Sequence, residues 1–85
     1  MKKDEDYTYT LTLHVRNQPG VLVRCAQVFN RRGHNIEALH VQPDKFDDTC
    51  SQMTIRAFGQ PSSMNQVVAQ LQKLHDVMHI TEQEQ

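Results

Sequence analysis

From Tyr7 to Arg16 the chain alternates: Tyr7, Tyr9, Leu11, Leu13 and Val15 fall on one face, Thr8, Thr10, Thr12, His14 and Arg16 on the other. A period of two, rich in aromatic and β-branched residues, predicts a half-buried strand. Asn17-Gln18-Pro19-Gly20 breaks it with turn chemistry. From Val21 the period changes, with Val21, Cys25 and Phe29 forming one row, Leu22 and Ala26 beside it, and Arg24, Gln27 and Arg31 around the other side. This spacing predicts an amphipathic helix of about three turns. Pro19 just before it and Gly33 just after it suit a helix start and a left-handed C-terminal cap.

A less regular strand is expected from Asn35 to Val41, where Ile36 and Leu39 cannot share a face without a bulge or a late strand start. Residues 43–48 form a polar loop, and Cys50 to Phe58 alternates again, with Met53, Ile55 and Ala57 in phase. After Gly59-Gln60-Pro61, Ser62 or Ser63 is placed to cap a second helix. Met64, Val67, Val68, Leu71 and Leu74 then recur at helical spacing. Val77 to Thr81 is a last short strand, and Glu82 to Gln85 a polar tail expected to fray. The order is β-α-β-β-α-β. Two apolar helix stripes need one sheet face, which gives an α+β, ferredoxin-like fold: a four-stranded antiparallel sheet with both helices on one face.

Eighty-five residues are expected to form one domain, with a core over about residues 7–81 and polar tails at both ends. So short a chain buries little surface, which makes self-association a reasonable expectation. A net charge of −1 and a pI near 6.5 give no electrostatic footprint for nucleic acid or an anionic membrane. The apolar runs are far shorter than the roughly 18–20 residues of a bilayer span. No export signal is read at the N-terminus, so a cytoplasmic location and reduced Cys25 and Cys50 are expected.

The fold hosts many activities, so function must come from a site. His14, His34, His40, His75 and His79 read as exposed residues of strands and loops, and neither cysteine has a Cys-x-x-Cys partner, so no metal is expected. Tyr7 and Tyr9 lie in phase with Leu11 and Leu13, which makes them core rather than an RNA-stacking platform. Cys25 falls on the apolar stripe of the first helix, where a thiol is inert. Asp44, Asp47 and Asp48 read as a solvated loop, and no catalytic residue is assigned.

The strand-to-helix turn carries the remaining chemistry. A helix start leaves backbone N–H groups unpaired and partially positive, ready for a carboxylate. Gly20 keeps no side chain in a ligand's way, Asn17 offers an amide donor and a carbonyl acceptor, and Val21 and Leu22 add an apolar wall. These residues suit a free amino acid with a small aliphatic side chain. The same four-residue pattern also serves as a plain turn.

The run Val15-Arg16-Asn17-Gln18-Pro19-Gly20-Val21-Leu22, followed by Phe29-Asn30-Arg31-Arg32-Gly33-His34-Asn35-Ile36-Glu37, resembles the ACT domain of acetolactate (acetohydroxyacid) synthase small subunits. Met53-Thr54-Ile55 and Leu71-x-Lys73-Leu74-x-Asp76-Val77 extend the similarity over roughly residues 9–81. The resemblance implies a non-catalytic regulatory subunit of the enzyme that condenses two 2-oxo acids in branched-chain amino-acid synthesis. It implies valine as ligand, held by Asn17, Gly20, Val21 and Leu22 of one protomer and closed by Asn35 and Ile36 of a neighbour.

It also implies a homodimer joined through the edge of the second strand, which carries neither Lys nor Pro before Pro43. Thiamine diphosphate, magnesium and FAD are then expected in the separate catalytic chain and no cofactor in this one. The similarity is to the short, ACT-only class, in which sensitivity to valine varies, so activation of the catalytic chain is expected ahead of inhibition by valine. A free-standing ACT sensor for another enzyme or regulator, and an interaction module without ligand, stay open beside it.

Overall fold

The computed structural model describes residues 7–83. The elements follow in the order β1 (Tyr7–Arg16), α1 (Val21–Arg31), β2 (Asn35–Pro43), β3 (Cys50–Gly59), α2 (Pro61–Gln72) and β4 (Val77–Gln83). The four strands form one antiparallel sheet in the order β2-β3-β1-β4. This is the ferredoxin-like arrangement expected from the alternation of periods.

Directly paired residues share a sheet face, so the register shows which side chains meet. Leu11 pairs with Ile55 and Leu13 with Met53, and all four are buried. Over them lie Val21, Cys25, Val28 and Phe29 of α1 and Met64, Val67 and Leu71 of α2, in one continuous core. Ile36, Val68, Leu74, Val77 and Ile80 pack around it, half-buried. Both helices therefore cover the same side. Each fully buried Leu or Ile contributes about 1.5–3 kcal/mol, against the ordering cost of a small chain.

The irregularity of the second strand resolves as a bulge. The β2–β3 register shifts between Ile36 and Ala38, so Ile36 lies opposite Ala57 and Leu39 opposite Ile55, both on the helix-facing side. The extra residue is Glu37, whose carboxylate lies 3.9 Å from Arg56. A second shift, between His14 and Val15, accommodates β4 at the other edge.

Two expectations fail locally. Neither Ser62 nor Ser63 caps α2: its N-cap is Gln60, in extended conformation and without a side-chain cap. Pro61 occupies the first turn, where its fixed φ suits a helix start; the Ser63 hydroxyl turns instead to the Gln60 carbonyl and to His34. Glu82 and Gln83, read as frayed tail, continue β4, pairing with Leu11 and Thr10. Residues 84–85 lie outside the described part. No described helix is long and apolar enough to cross a membrane.

Candidate functional site

β1 ends at Arg16, and the chain turns through hydrogen bonds from the Gln18 amide to the Arg16 carbonyl (2.9 Å) and from the Val21 amide to the Gln18 carbonyl (3.2 Å). Gly20 closes the turn at φ +82°, a conformation that L side chains rarely adopt, and serves as N-cap of α1. α1 starts with no side-chain cap and no acidic residue in its first turn. Its partial positive charge thus meets no protein carboxylate on the first turn.

Arg24, one turn into α1, folds back over this start. One guanidinium nitrogen lies 3.4 Å from the Pro19 carbonyl, and the other pairs with Asp76 at 2.7 Å. Asp76 is anchored to the same end of the sheet, since its carbonyl accepts the Arg16 amide at 2.8 Å. A cation thus lies over the helix start at Gly20, with its charge already matched by the Asp76 carboxylate; a ligand carboxylate would have to share it. Arg24 was assigned only to the polar side of the helix from sequence. Its spacing of four from Gly20 was the available signal.

Asn17 is engaged on both sides of its amide. Its Nδ2 donates to the carbonyls of Asp48 (3.0 Å) and Cys50 (3.3 Å), and its Oδ1 accepts from the Ser51 hydroxyl. Its backbone amide donates to the Thr49 carbonyl at 2.8 Å. The turn is thus stitched to the β2–β3 loop. The loop in turn is internally ordered. Asp44 accepts the Phe46 amide at 2.8 Å and meets His14 Nε2 at 2.7 Å, while Asp47 accepts both the amide and the hydroxyl of Thr49. The Phe46 amide holds the Asp44 carboxyl below its ordinary range, and the Thr49 hydroxyl does so for Asp47. Of the three carboxylates read as solvated, those of Asp44 and Asp47 therefore organise the loop, while Asp48 takes part through its backbone carbonyl.

Of the two apolar wall residues, Val21 turns into the core and Leu22 stays 40 % exposed, so Leu22 is the side chain presented beside the turn. Asn35 and Ile36 stand elsewhere. Asn35 pairs with Phe58 while Asn17 follows the Arg16–Cys50 pair. That separates the two asparagines by roughly nine strand residues, or about 30 Å at ~3.3 Å each. One protomer brings Asn17, Gly20 and Leu22 together and leaves Asn35 and Ile36 at the far end of the sheet.

His34 corrects the reading of exposed histidines: it is buried. The Tyr9 hydroxyl lies 2.6 Å from its Nδ1, and its Nε2 meets the Ser63 hydroxyl. The Ser63 hydroxyl donates in turn to the Gln60 carbonyl, so phenol, imidazole and hydroxyl form one hydrogen-bonded chain. The signal was Tyr9 itself, since a buried phenol needs a polar partner. Burial pushes the Tyr9 phenol above its ordinary range. It pushes the Cys25 thiol from 9.0 up to about 11, as expected of an inert core cysteine. Cys25 and Cys50 are both buried and free. Among the described residues, no group of three or more His, Cys, Asp or Glu side chains could hold a metal ion.

The profile of the AHAS small subunit-like ACT domain matches residues 11–79. The acetolactate synthase small subunit of Mycobacterium leprae (strain TN) is 44 % identical over 77 residues, covering 91 % of this chain and 45 % of that protein. The acetolactate synthase isozyme 3 small subunit of Escherichia coli (strain K12) is 40 % identical over 72 residues, covering 85 % and 44 %. The crystal structure of an acetolactate synthase small subunit from Thermotoga maritima superposes with a TM-score of 0.77 at 29 % identity, covering 89 % of this chain and 47 % of that one. The chain thus spans less than half the length of these relatives. Its fold and its sequence agree: the chain belongs to the family of acetolactate synthase (AHAS) small subunit-like ACT domains.

Proposed function

We propose that this chain is a non-catalytic regulatory subunit that stimulates a separate acetolactate synthase catalytic chain in the cytoplasm and binds valine as a feedback signal of branched-chain amino-acid synthesis. The match of residues 11–79 to the small-subunit ACT profile carries the reading. Thiamine diphosphate, magnesium and FAD belong, in this reading, to the catalytic chain.

The valine carboxylate would meet the uncapped start of α1 and the Arg24 guanidinium, with Leu22 against the isopropyl group. Asn35 and Ile36 are about 30 Å away in the same protomer, so they reach this turn only from a second one. β2 is an edge strand with Leu39 and Val41 exposed, open to pairing with its twin about a two-fold axis. Antiparallel pairing carries the Asn35 end of one strand toward the Pro43 end of the other, the direction the shared site requires.

The test is acetolactate formation by the cognate catalytic chain with and without the full chain, together with calorimetry using valine, leucine, isoleucine and serine. Stimulation and millimolar or tighter valine binding are expected. Failure to stimulate removes the subunit role. The Asn17 amide, already bonded to Asp48 and Cys50, favours a second reading, an interaction module that uses the turn structurally and binds no amino acid. Stimulation without heat from any of the four amino acids would select it.

A further inference from the structure

Away from the helices the sheet presents an open face. Across it Arg56 stands between Ala38 and Thr10 in one row of paired residues, and Thr54 between His40 and Thr12 in the next. Arg56, on the inner strand β3, is the cation among these rows. The carboxylates lie at the margin: Glu37 on the bulge of the edge strand, and Asp44 beyond the end of β2, already bonded to His14.

Beside the short Ala38 side chain lies a recess of about 240 Å³, lined by Thr10, Ala38, Leu39, His40, Thr54 and Arg56. Thr10 is only 9 % exposed, yet among the described residues no protein group bonds to its hydroxyl. Hydroxyls so deeply placed ordinarily have a partner, and this one is left to whatever fills the recess. The Arg56 side chain is 55 % exposed, and the Glu37 carboxylate stands 3.9 Å from its Nε. That exceeds the roughly 2.7–2.9 Å of a charge-assisted hydrogen bond, so the guanidinium is attracted but not held. Hydroxyls and a guanidinium fork together offer donors to two oxygens rich in lone pairs, which describes a carboxylate.

We propose that this face docks an acidic surface of a separate protein chain, with one Asp or Glu side chain seated in the recess. Its two oxygens take the Arg56 fork and the Thr10 and Thr54 hydroxyls. The recess lies open on the sheet, whereas sites for free small molecules enclose about 70–90 % of the ligand. A partner's side chain is held by the contacts around it, which also keep water from the ion pair. Arg56 attracts such a partner, and the threonines and His40 around it set no carboxylate against it. In the reading above, the separate chain is the acetolactate synthase catalytic chain, and the proposal rests on that reading.

Calorimetric titration of the full chain into its cognate catalytic chain tests it, with a thermal melt of each variant alongside. Arg56→Glu should raise the dissociation constant about tenfold or more, and added salt should raise that of the wild type. Ala38→Leu fills the recess without changing charge. It should weaken binding several-fold, and it carries the test if Arg56→Glu melts early. Lys73→Glu makes the same change of charge at the end of α2 and should bind as the wild type does. Wild-type binding that survives both Arg56→Glu and Ala38→Leu overturns the docking face and keeps the subunit role. Equal weakening by Lys73→Glu and Arg56→Glu means that net charge alone acts, which also overturns it. Shifts of the Thr10 and Thr54 amide resonances with micromolar glutarate alone would give the recess to a free acid instead, and shifts with an RNA oligomer would give the face to nucleic acid. A wild-type chain that neither binds nor stimulates the catalytic chain overturns both readings.

Discussion

The Nδ2 of Asn17 and the carbonyl of Asp48 are joined by a hydrogen bond of 3.0 Å, so the turn before α1 and the loop after β2 share one amide. A ligand acceptor that claims Nδ2 must release the Asp48 or the Cys50 carbonyl. Ligand binding and loop order are thereby in competition, unless the ligand uses only the second lone pair of Oδ1, beside the Ser51 hydroxyl, or leaves the amide alone.

Asn17→Ala distinguishes these. If the amide faces the ligand, valine affinity falls by about 1–3 kcal/mol, the cost of one lost polar partner. Hydrogen exchange at the Cys50 and Asp44 amides should also accelerate, because the loop loses its side-chain ties. Faster exchange with unchanged affinity would remove Asn17 from the ligand site and leave it as a clamp.

Gly20 and Gly33 both have positive φ, +82° and +75°, but differ in surroundings. A Cβ at Gly20 would lie 2.9 Å from an Arg24 guanidinium nitrogen, while one at Gly33 meets nothing within 4 Å. Gly33→Ala should cost about 1–2 kcal/mol from backbone conformation alone. Gly20→Ala should cost more, because Arg24 must also leave its place over the turn. Urea unfolding of both variants gives the comparison, and equal costs would mean that Arg24 yields freely.

His34→Leu strands the Tyr9 hydroxyl in the core, with an expected loss of about 1–3 kcal/mol. Tyr9→Phe added to it should recover part of that loss, since the stranded hydroxyl is then gone as well. A double-mutant cycle by chemical denaturation reads the coupling. Simple additivity of the two changes is the result that would sink the pairing.

Two pH windows follow from the shifted groups. Asp44 and Asp47 have folded pKa values below 3.8, so their contribution is complete above that value and is lost as pH falls through the lower folded pKa. Cys25 is shifted the other way, so its contribution is intact below pH 9.0 and declines as pH rises from there to about 11. Stability measured by denaturant at stepped pH should show both slopes. Asp44→Asn with Asp47→Asn should flatten the acid one, and Cys25→Ala should remove the part of the alkaline slope that begins at pH 9.0, leaving the part that the buried Tyr9 phenol adds above pH 10.0.

Periodicity made the elements legible where one face is buried, in β1, β3 and the two helices: Leu11 and Leu13, Met53 and Ile55, Val67 and Leu71 all lie where the spacing places them. Even the bulge was readable, from Ile36 and Leu39 standing three apart. Side-chain hydrogen bonds across the sheet were not. Asn17 reaches residues 48 to 51 and His34 reaches Ser63, and spacing says nothing about polar partners so distant in the chain. The turn was found for its backbone, and Arg24 was missed because its guanidinium lies back across the helix start. Capping by Ser62 or Ser63 failed for a local reason, since Pro61 already starts the helix.

The bulge at Glu37 also bears on how the sheet can grow. An edge strand with evenly spaced N–H and C=O groups is a template for unlimited stacking, in or out of register. Glu37 interrupts that spacing near one end of β2 and sets a charge beside it, held near Arg56. A flat foreign strand can match one half of such an edge but not both. The strand that guards against fibrils is thereby the same one left open for pairing, and the irregularity narrows its company to a partner with matching shape.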